Sequence, residues 1–170
     1  SIFHLKMQSF HLSYKDKSIK LNGVSFTPNI SEAAMQARFK YQNTQFSGSV
    51  GSLTLAGVNF DTLIYKRKIF IDQIVLDSIS ASIFKDKTKP MDLSRFPEYL
   101  GQSVKKIPVP IVIPQVKATN VNLVNREKNP DGSYGIAHIN RGIAEVKNVT
   151  NLGDDDPLSI RLDAYVENKV

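Results

Sequence analysis

The chain has 170 residues, a net charge of +6, and neither cysteine nor tryptophan. Its length suits one domain or one elongated unit whose core needs no disulfide or metal, and the lack of cysteine excludes a disulfide framework and any thiolate site. The mild basic excess, with a pI of about 9.5, falls short of a nucleic-acid-binding signature, and no apolar run approaches the roughly 18–20 residues that a membrane-spanning helix needs.

Phe10, Leu12 and Tyr14 alternate with His11, Ser13 and Lys15, the period of a half-buried strand. Lys15-Asp16-Lys17 turns the chain, residues 19–26 return as the next strand, and Pro28-Asn29 breaks it. Ser31-Glu32-Ala33-Ala34 has the composition to begin a short helix, after which Phe39, Tyr41 and Phe46 mark a bent strand. Residues 50–60 and 69–84 are the clearest strands. In the second, Ile69 and Ile71 share one parity, Ile74 and Leu76 the other, and Ile79, Ala81 and Ile83 return to the first. Side chains alternate strictly along a regular strand, so each switch requires a bulge or bend, placed at Asp72-Gln73 and at Asp77-Ser78.

Between Pro90 and Pro108 the spacing predicts one amphipathic helix over 94–106. Ser94 serves as N-cap and Pro97 falls in the first turn. Phe96, Leu100 and Val104 line one face, with Lys105 and Lys106 in the last turn. Residues 111–125 are strand again; Pro108, Pro110 and Pro114 cannot donate to a ladder, so this segment is expected to enter the sheet at a margin. Asn129-Pro130-Asp131-Gly132 is a turn. Residues 136–149 and 158–166 supply the last strands, with Asp154-Asp155-Asp156-Pro157 as a solvated loop between them. Ser1 in the place of Met, with strand-like residues from Ile2 onward, reads as a piece of a longer protein or a mature chain without its targeting segment.

The strands also resemble one another. Residues 19–26 read against 53–60, with Gly-Val and Phe at the same places. A shift of 21 aligns Val50, Leu53, Leu55 and Val58 with Ile71, Ile74, Leu76 and Ile79, and a further shift of 42 reaches Ile113, Val116, Ala118, Val121 and Leu123. Such repetition predicts a sheet built by stacking like pieces, with Gly23 and Gly57 in equivalent positions at a bend or bulge. The expected fold class is mainly β: repeated antiparallel strands in a curled, elongated sheet, plus one short helix. The chain reads as a single β-rich unit, 1–170, with first strands over 1–89, a Pro-flanked helical linker over 90–110 and further strands over 111–170.

No catalytic constellation appears. His4, His11 and His138 lack a His-x-x-x-His partner or a carboxylate at ligand spacing, and read as surface or edge residues. There is no Gly-x-Ser-x-Gly elbow and no phosphate loop, and Asp154-Asp155-Asp156 lacks the glycine-punctuated pattern of a calcium loop. No catalytic residue, metal or cofactor is expected. The basic runs Lys66-Arg67-Lys68, Lys85/Lys87/Lys89 and Lys105-Lys106 suit either anionic headgroups or nucleic acid, or plain solubility and edge protection at strand ends. Nearby acids favour the second reading, and without an aromatic stacking ladder nucleic acid is not an expected partner. Asp61-Thr62-Leu63, Asp77-Ser78-Ile79 and Asn148-Val149-Thr150 match glycosylation triplets too common by chance to assign.

From Val50 onward the chain resembles the AsmA-like superfamily of Gram-negative envelope proteins. The carrying residues are Gly48-Ser49-Val50-Gly51-Ser52-Leu53-Thr54-Leu55-Ala56-Gly57-Val58-Asn59-Phe60 and Ile71-Asp72-Gln73-Ile74-Val75-Leu76-Asp77. After the Pro-marked linker come Val112-Ile113-Pro114-Gln115-Val116-Lys117-Ala118 and Asn120-Val121-Asn122-Leu123. The resemblance implies a twisted β trough in the periplasm, held to the inner membrane by an anchor outside this chain, with an apolar groove that shields the acyl chains of phospholipid or a similar lipid. Ile71, Ile74, Leu76, Ile79, Val116, Val121 and Leu123 are the groove candidates under that reading. The alternative is that they fill a closed core, and that the chain is a structural or binding scaffold of a secreted or surface protein.

Overall fold

The computed structural model describes residues 3–94, 96, 98–153 and 157–169; Pro97 and Asp154-Asp155-Asp156, singled out above, lie outside them. The strands are β1 (Phe3–Lys6), β2 (Ser9–Ser13), β3 (Ser18–Pro28), β4 (Thr44–Ala56), β5 (Ile69–Phe70), β6 (Gln73–Asp86), β7 (Ile111–Lys128), β8 (Tyr134–Thr150) and β9 (Ser159–Lys169). They form one open sheet in the order β1-β3-β4-β6-β7-β8-β9, with β2 following β1 along β3 and β5 preceding β6 along β7. The protein is mainly β, as expected; with 58% strand against 12% helix, there is too little helix to cover the sheet with a second layer.

The sheet is mixed rather than wholly antiparallel, because β7 runs parallel to β5 and β6. Parallel neighbours cannot be joined by a hairpin, so residues 87–110 act as a crossover that returns the chain along the sheet. The 42-residue sequence shift is the register of this pair: Ile74 lies beside Val116, Leu76 beside Ala118, Ile79 beside Val121 and Ala81 beside Leu123. The 21-residue shift has no such counterpart. β4 and β6 are antiparallel and pair Val50 with Ile79, Leu53 with Leu76 and Leu55 with Ile74. An apolar alternation reads the same in both directions, so a translation imitated the true reversed pairing. β7 is also an interior strand, paired on both sides, and not the marginal one its prolines suggested; Pro114 falls where the ladder is already broken.

Two such breaks cross the sheet. Along the first, Gly23 of β3, Ser78 of β6, Asn120 of β7 and Arg141 of β8 all have left-handed backbone, with φ of 59°, 56°, 52° and 52°. The registers set Gly51 of β4 between Gly23 and Ser78. At this line the apolar alternation slips by one residue in five strands. Ile19 and Leu21 give way to Val24 and Phe26; Leu55 and Leu53 to Val50 and Phe46; Ile74 and Leu76 to Ile79 and Ala81. Val116 and Ala118 give way to Val121 and Leu123, and Val146 and Ala144 to Ile139 and Ala137. A left-handed residue inside a strand turns the next side chain to the other face, so the slip keeps these apolar rows on one face; Phe84, beside Gln45, is buried on the other. The second line runs through Gly57 (φ 67°), Asp72, Pro114 and Asn148 (φ 58°). Both parity switches on 69–84 therefore fall where the sequence placed them.

Gly23 and Gly57 share a setting as well as a conformation. A Cβ on Gly23 would lie 2.3 Å from the Gln8 side chain, and one on Gly57 2.0 Å from the Asp72 carboxylate. Past the glycines the two segments part. β3 continues through Phe26, whereas Val58 enters the core and Asn59 starts a helix.

The described residues form three short helices: α1 (Glu32–Ala37), α2 (Phe60–Lys66) and α3 (Leu100–Lys105). Ser31 caps α1 by accepting the Ala34 N–H at 3.2 Å. Asn59 caps α2 by accepting the Thr62 N–H at 3.0 Å, and Arg67 closes it in left-handed backbone, φ 51°. α3 is half the length expected. Ser94 does not cap it; its N–H and hydroxyl both donate to Asp92 Oδ1, at 3.0 and 2.6 Å, in a local turn that competes with helix. The helix starts instead after Tyr99, whose N–H donates to Gln102 Oε1 at 3.0 Å. Of the predicted face, only Val104 is buried; Phe96 is 85% exposed.

Gly57→Ala should cost roughly 1–3 kcal/mol, because the left-handed backbone and the crowding Asp72 both oppose a methyl group. Gly101→Ala, inside α3 with nothing within 4 Å of the new methyl, should be neutral or stabilise by about 0.5–1 kcal/mol. Urea denaturation of the two variants measures both effects.

Candidate functional site

The registers join the apolar positions of all strands into rows that cross the sheet. One row is Leu12, Ile19, Leu55, Ile74, Val116, Val146 and Ile160; the next is Phe10, Leu21, Leu53, Leu76, Ala118, Ala144 and Leu162. Past the first break, Met7, Val24, Val50, Ile79 and Val121 continue the same face. None of these residues is polar. At neighbouring-strand spacings of about 4.8 Å, each seven-strand row is roughly 29 Å wide.

One end of this face is closed. Val58, Phe60, Ile71, Val104, Ile111 and Ile113 form a buried cluster, with Ile19, Leu55, Ile74, Val116 and Val149 packed against it. Phe60 comes from α2 and Val104 from α3, so these two helices cap the end where β7 begins. The opposite end is open on the apolar side. There α1 lies over Gln45, which donates to the Glu32 carbonyl at 3.3 Å, and Gln45 is 8% exposed while its neighbour Phe46 is 54% exposed. Successive residues of a strand point to opposite faces, so α1 covers the polar face and leaves Phe46 uncovered. Phe3 stacks on Phe26 on the open side, centroids 4.4 Å apart.

The seven groove candidates divide accordingly. Ile71 belongs to the closed end, and Ile74 and Val116 pack against it. Leu76, Ile79, Val121 and Leu123 are half-buried and lie beyond it, outside the capped cluster. The candidates came only from β6 and β7. The register adds Leu21, Val24, Leu53 and Val50, which carry the same alternation and were legible by the same signal. The edges also carry apolar groups open to solvent, Phe10 and Leu12 on β2 and Ile160 and Leu162 on β9.

The other face has Met35 and Phe84 buried at the α1 end, and elsewhere is held by polar contacts. Gln73 Nε2 donates to Gln115 Oε1, and Gln115 Nε2 to Glu145 Oε1, each at 2.5 Å. Beside the first break, Asp77 Oδ1 accepts from the Thr119 hydroxyl at 2.6 Å and from Asn120 Nδ2 at 2.7 Å, and Oδ2 accepts from the Ser78 hydroxyl at 2.8 Å. These donors, Thr119 foremost, hold the Asp77 carboxyl below its ordinary value, against a smaller opposing effect of desolvation. Gln115 does the same for Glu145. His4, His11 and His138 sit on separate strands, β1, β2 and β8. Among the described residues no three His, Cys, Asp or Glu side chains lie close enough to hold a metal ion.

No protein-family model matches this chain, and no curated protein matches it either.

Asp77 gives a test with a definite sign. A carboxylate whose folded pKa is lowered adds stability that is present above its unfolded value, near 3.8 for Asp, and is lost as pH falls through the folded value. The wild type should therefore exceed Asp77→Asn in stability at neutral pH. The gap should shrink as pH drops below about 4. Urea midpoints of the two proteins across pH 3–7 measure it.

Proposed function

We propose that this chain is a non-enzymatic lipid-handling element of the cell envelope, and that its open apolar face shields acyl chains from water. The observation that supports the reading is the continuity of that face: rows without a polar side chain from Ile74 to Ala81, with Asn125 beside Ile83 at the open end. A protein interface of this area ordinarily carries about one hydrogen bond per 100–200 Å², and these rows offer no side chain to make one. An acyl chain needs none. From Ile74 to Ile83 the face runs about 30 Å along β6 at roughly 3.3 Å per residue. That matches the hydrocarbon thickness of a whole bilayer, about 30 Å, so a single extended acyl chain fits with room to spare. The periplasmic setting and the inner-membrane anchor are what the AsmA-like resemblance adds. No described helix is long and apolar enough to cross a membrane, so the anchor belongs to a segment other than these helices.

Two charge insertions separate an open face from a closed core. Ile71→Asp places a charge among buried residues and should cost at least several kcal/mol, enough to unfold the domain. Leu76→Asp, on the open face, should leave a cooperative melt while binding of a fluorescent fatty acid falls at least tenfold. Thermal melts beside the binding titration report both. Wild-type protein that binds no acyl chain, with Leu76→Asp collapsing as Ile71→Asp does, would sink the reading and leave the scaffold domain in its place.

A further inference from the structure

We infer that the α2 end of the sheet is a docking surface for an anionic membrane. It stands on residues other than those of the trough. α2 turns Phe60 into the core, 5% exposed, and presents Ile64 and Tyr65 to solvent, 62% and 80% exposed. Lys66, Arg67 and Lys68 follow at once. The β2–β3 turn is fixed beside them. Tyr14 stacks on Phe60 with centroids 5.4 Å apart and donates its hydroxyl to Asp61 Oδ1 at 3.0 Å, and the Val58 N–H donates to the Lys17 carbonyl at 2.8 Å. Lys15 and Lys17, some 50 positions away in sequence, are thereby brought to the same end.

The acids here, Asp16 and Asp61, offset only two of the five cations Lys15, Lys17, Lys66, Arg67 and Lys68. Asp61 takes the Tyr14 hydroxyl, and Asp16 accepts the Ser13 hydroxyl at 2.7 Å. Elsewhere five basic groups are paired: Lys87 with Glu127, Lys106 with Glu98, Arg126 with Glu32, Lys147 with Glu145 and Arg161 with Asp163. Among the described residues, Lys66, Arg67 and Lys68 have no such ion pair. Solubility alone explains exposed lysines, but not an exposed isoleucine and tyrosine set among them. An amphipathic aromatic ring and an aliphatic group at headgroup depth, flanked by cations facing lipid phosphates, are the chemistry of interfacial docking. A soluble phosphate would engage the cations and leave Ile64 and Tyr65 idle, so the occupant is a bilayer surface.

The chain contains no tryptophan, so Tyr65→Trp installs a single reporter at an exposed position. With phosphatidylcholine vesicles containing phosphatidylglycerol, the indole emission of this variant should shift to the blue and be quenched by headgroup-proximal doxyl lipid. Pure phosphatidylcholine should give little shift, and high salt should reverse it. Lys66→Gln/Arg67→Gln in this background should weaken binding by over tenfold, since each cation near an anionic surface is worth roughly fivefold. Fatty-acid binding measured without vesicles should be unchanged by the pair, which separates docking from the trough. Emission that ignores anionic vesicles, equal partition into neutral ones, or full binding by the double variant in a folded state would each overturn the inference.

Discussion

Along a regular strand each side chain has only one face available, and the next has the other. A strand long enough to span this sheet must keep its apolar groups on one side past every bend. It can do so only by slipping its alternation at the bend. Ser78, Asn120, Arg141 and Gly23 make that slip in left-handed backbone, and they make it in one line across the sheet. A lone slip would set apolar groups of one strand against polar groups of its neighbours. Three of the four residues are not glycine, and a non-glycine residue in this region costs of order 1–3 kcal/mol. The strain persists because local contacts hold it. Asp77 ties Ser78, Thr119 and Asn120 together across β6 and β7, and Gly51 makes room, since a Cβ there would lie 2.9 Å from that of Ser78.

The distribution of burial follows from the same arrangement. On the apolar face, only the end under α2 and α3 is closed into a core; on the opposite face Met35 of α1 and Phe84 are buried. The rest of the apolar face is half-buried by its own neighbours within a single layer. Stability is thus concentrated at the two helix-covered ends and in the hydrogen-bonded ladder, and the middle of the sheet is free to expose hydrocarbon. Open edges at β9 and at β1 and β2 leave the apolar rows unfinished on both sides. That makes these strands places where another strand can add.

Much of this was legible in the sequence, for physical reasons that differ from element to element. Parity is a property of single residues, so the slips at Asp72 and Ser78 could be located before any partner strand was known. The 42-residue shift was legible because parallel neighbours in register repeat their pattern in the same direction. The reversed pairing of β4 with β6 was not, since alternation carries no sense of direction. α2 was hidden by the likeness of 53–60 to 19–26, where Phe60 passed for a strand end. Asn59, able to cap, with Asp61 in the first turn, was the signal available. α3 was overdrawn because Ser94 has a closer partner in Asp92 than in the helix it was expected to start. As for the candidate site, which residues are apolar was plain in the sequence. Which of them lie under a helix depends on where 87–110 and 57–68 settle, and that is decided by tertiary packing.

On β6, one phase slip at Ser78 keeps a single open apolar face. The chain has no native cysteine, so single cysteines can be placed along 74–83 of β6 and labelled with an environment-sensitive thiol probe. A slip of this kind predicts apolar emission at 74, 76, 79, 81 and 83, a period of two with one missed step at Ser78, and protection of 76, 79 and 81 from labelling when fatty acid is bound. A pattern of unbroken period two through Ser78, or labelling indifferent to fatty acid at all three positions, would contradict it.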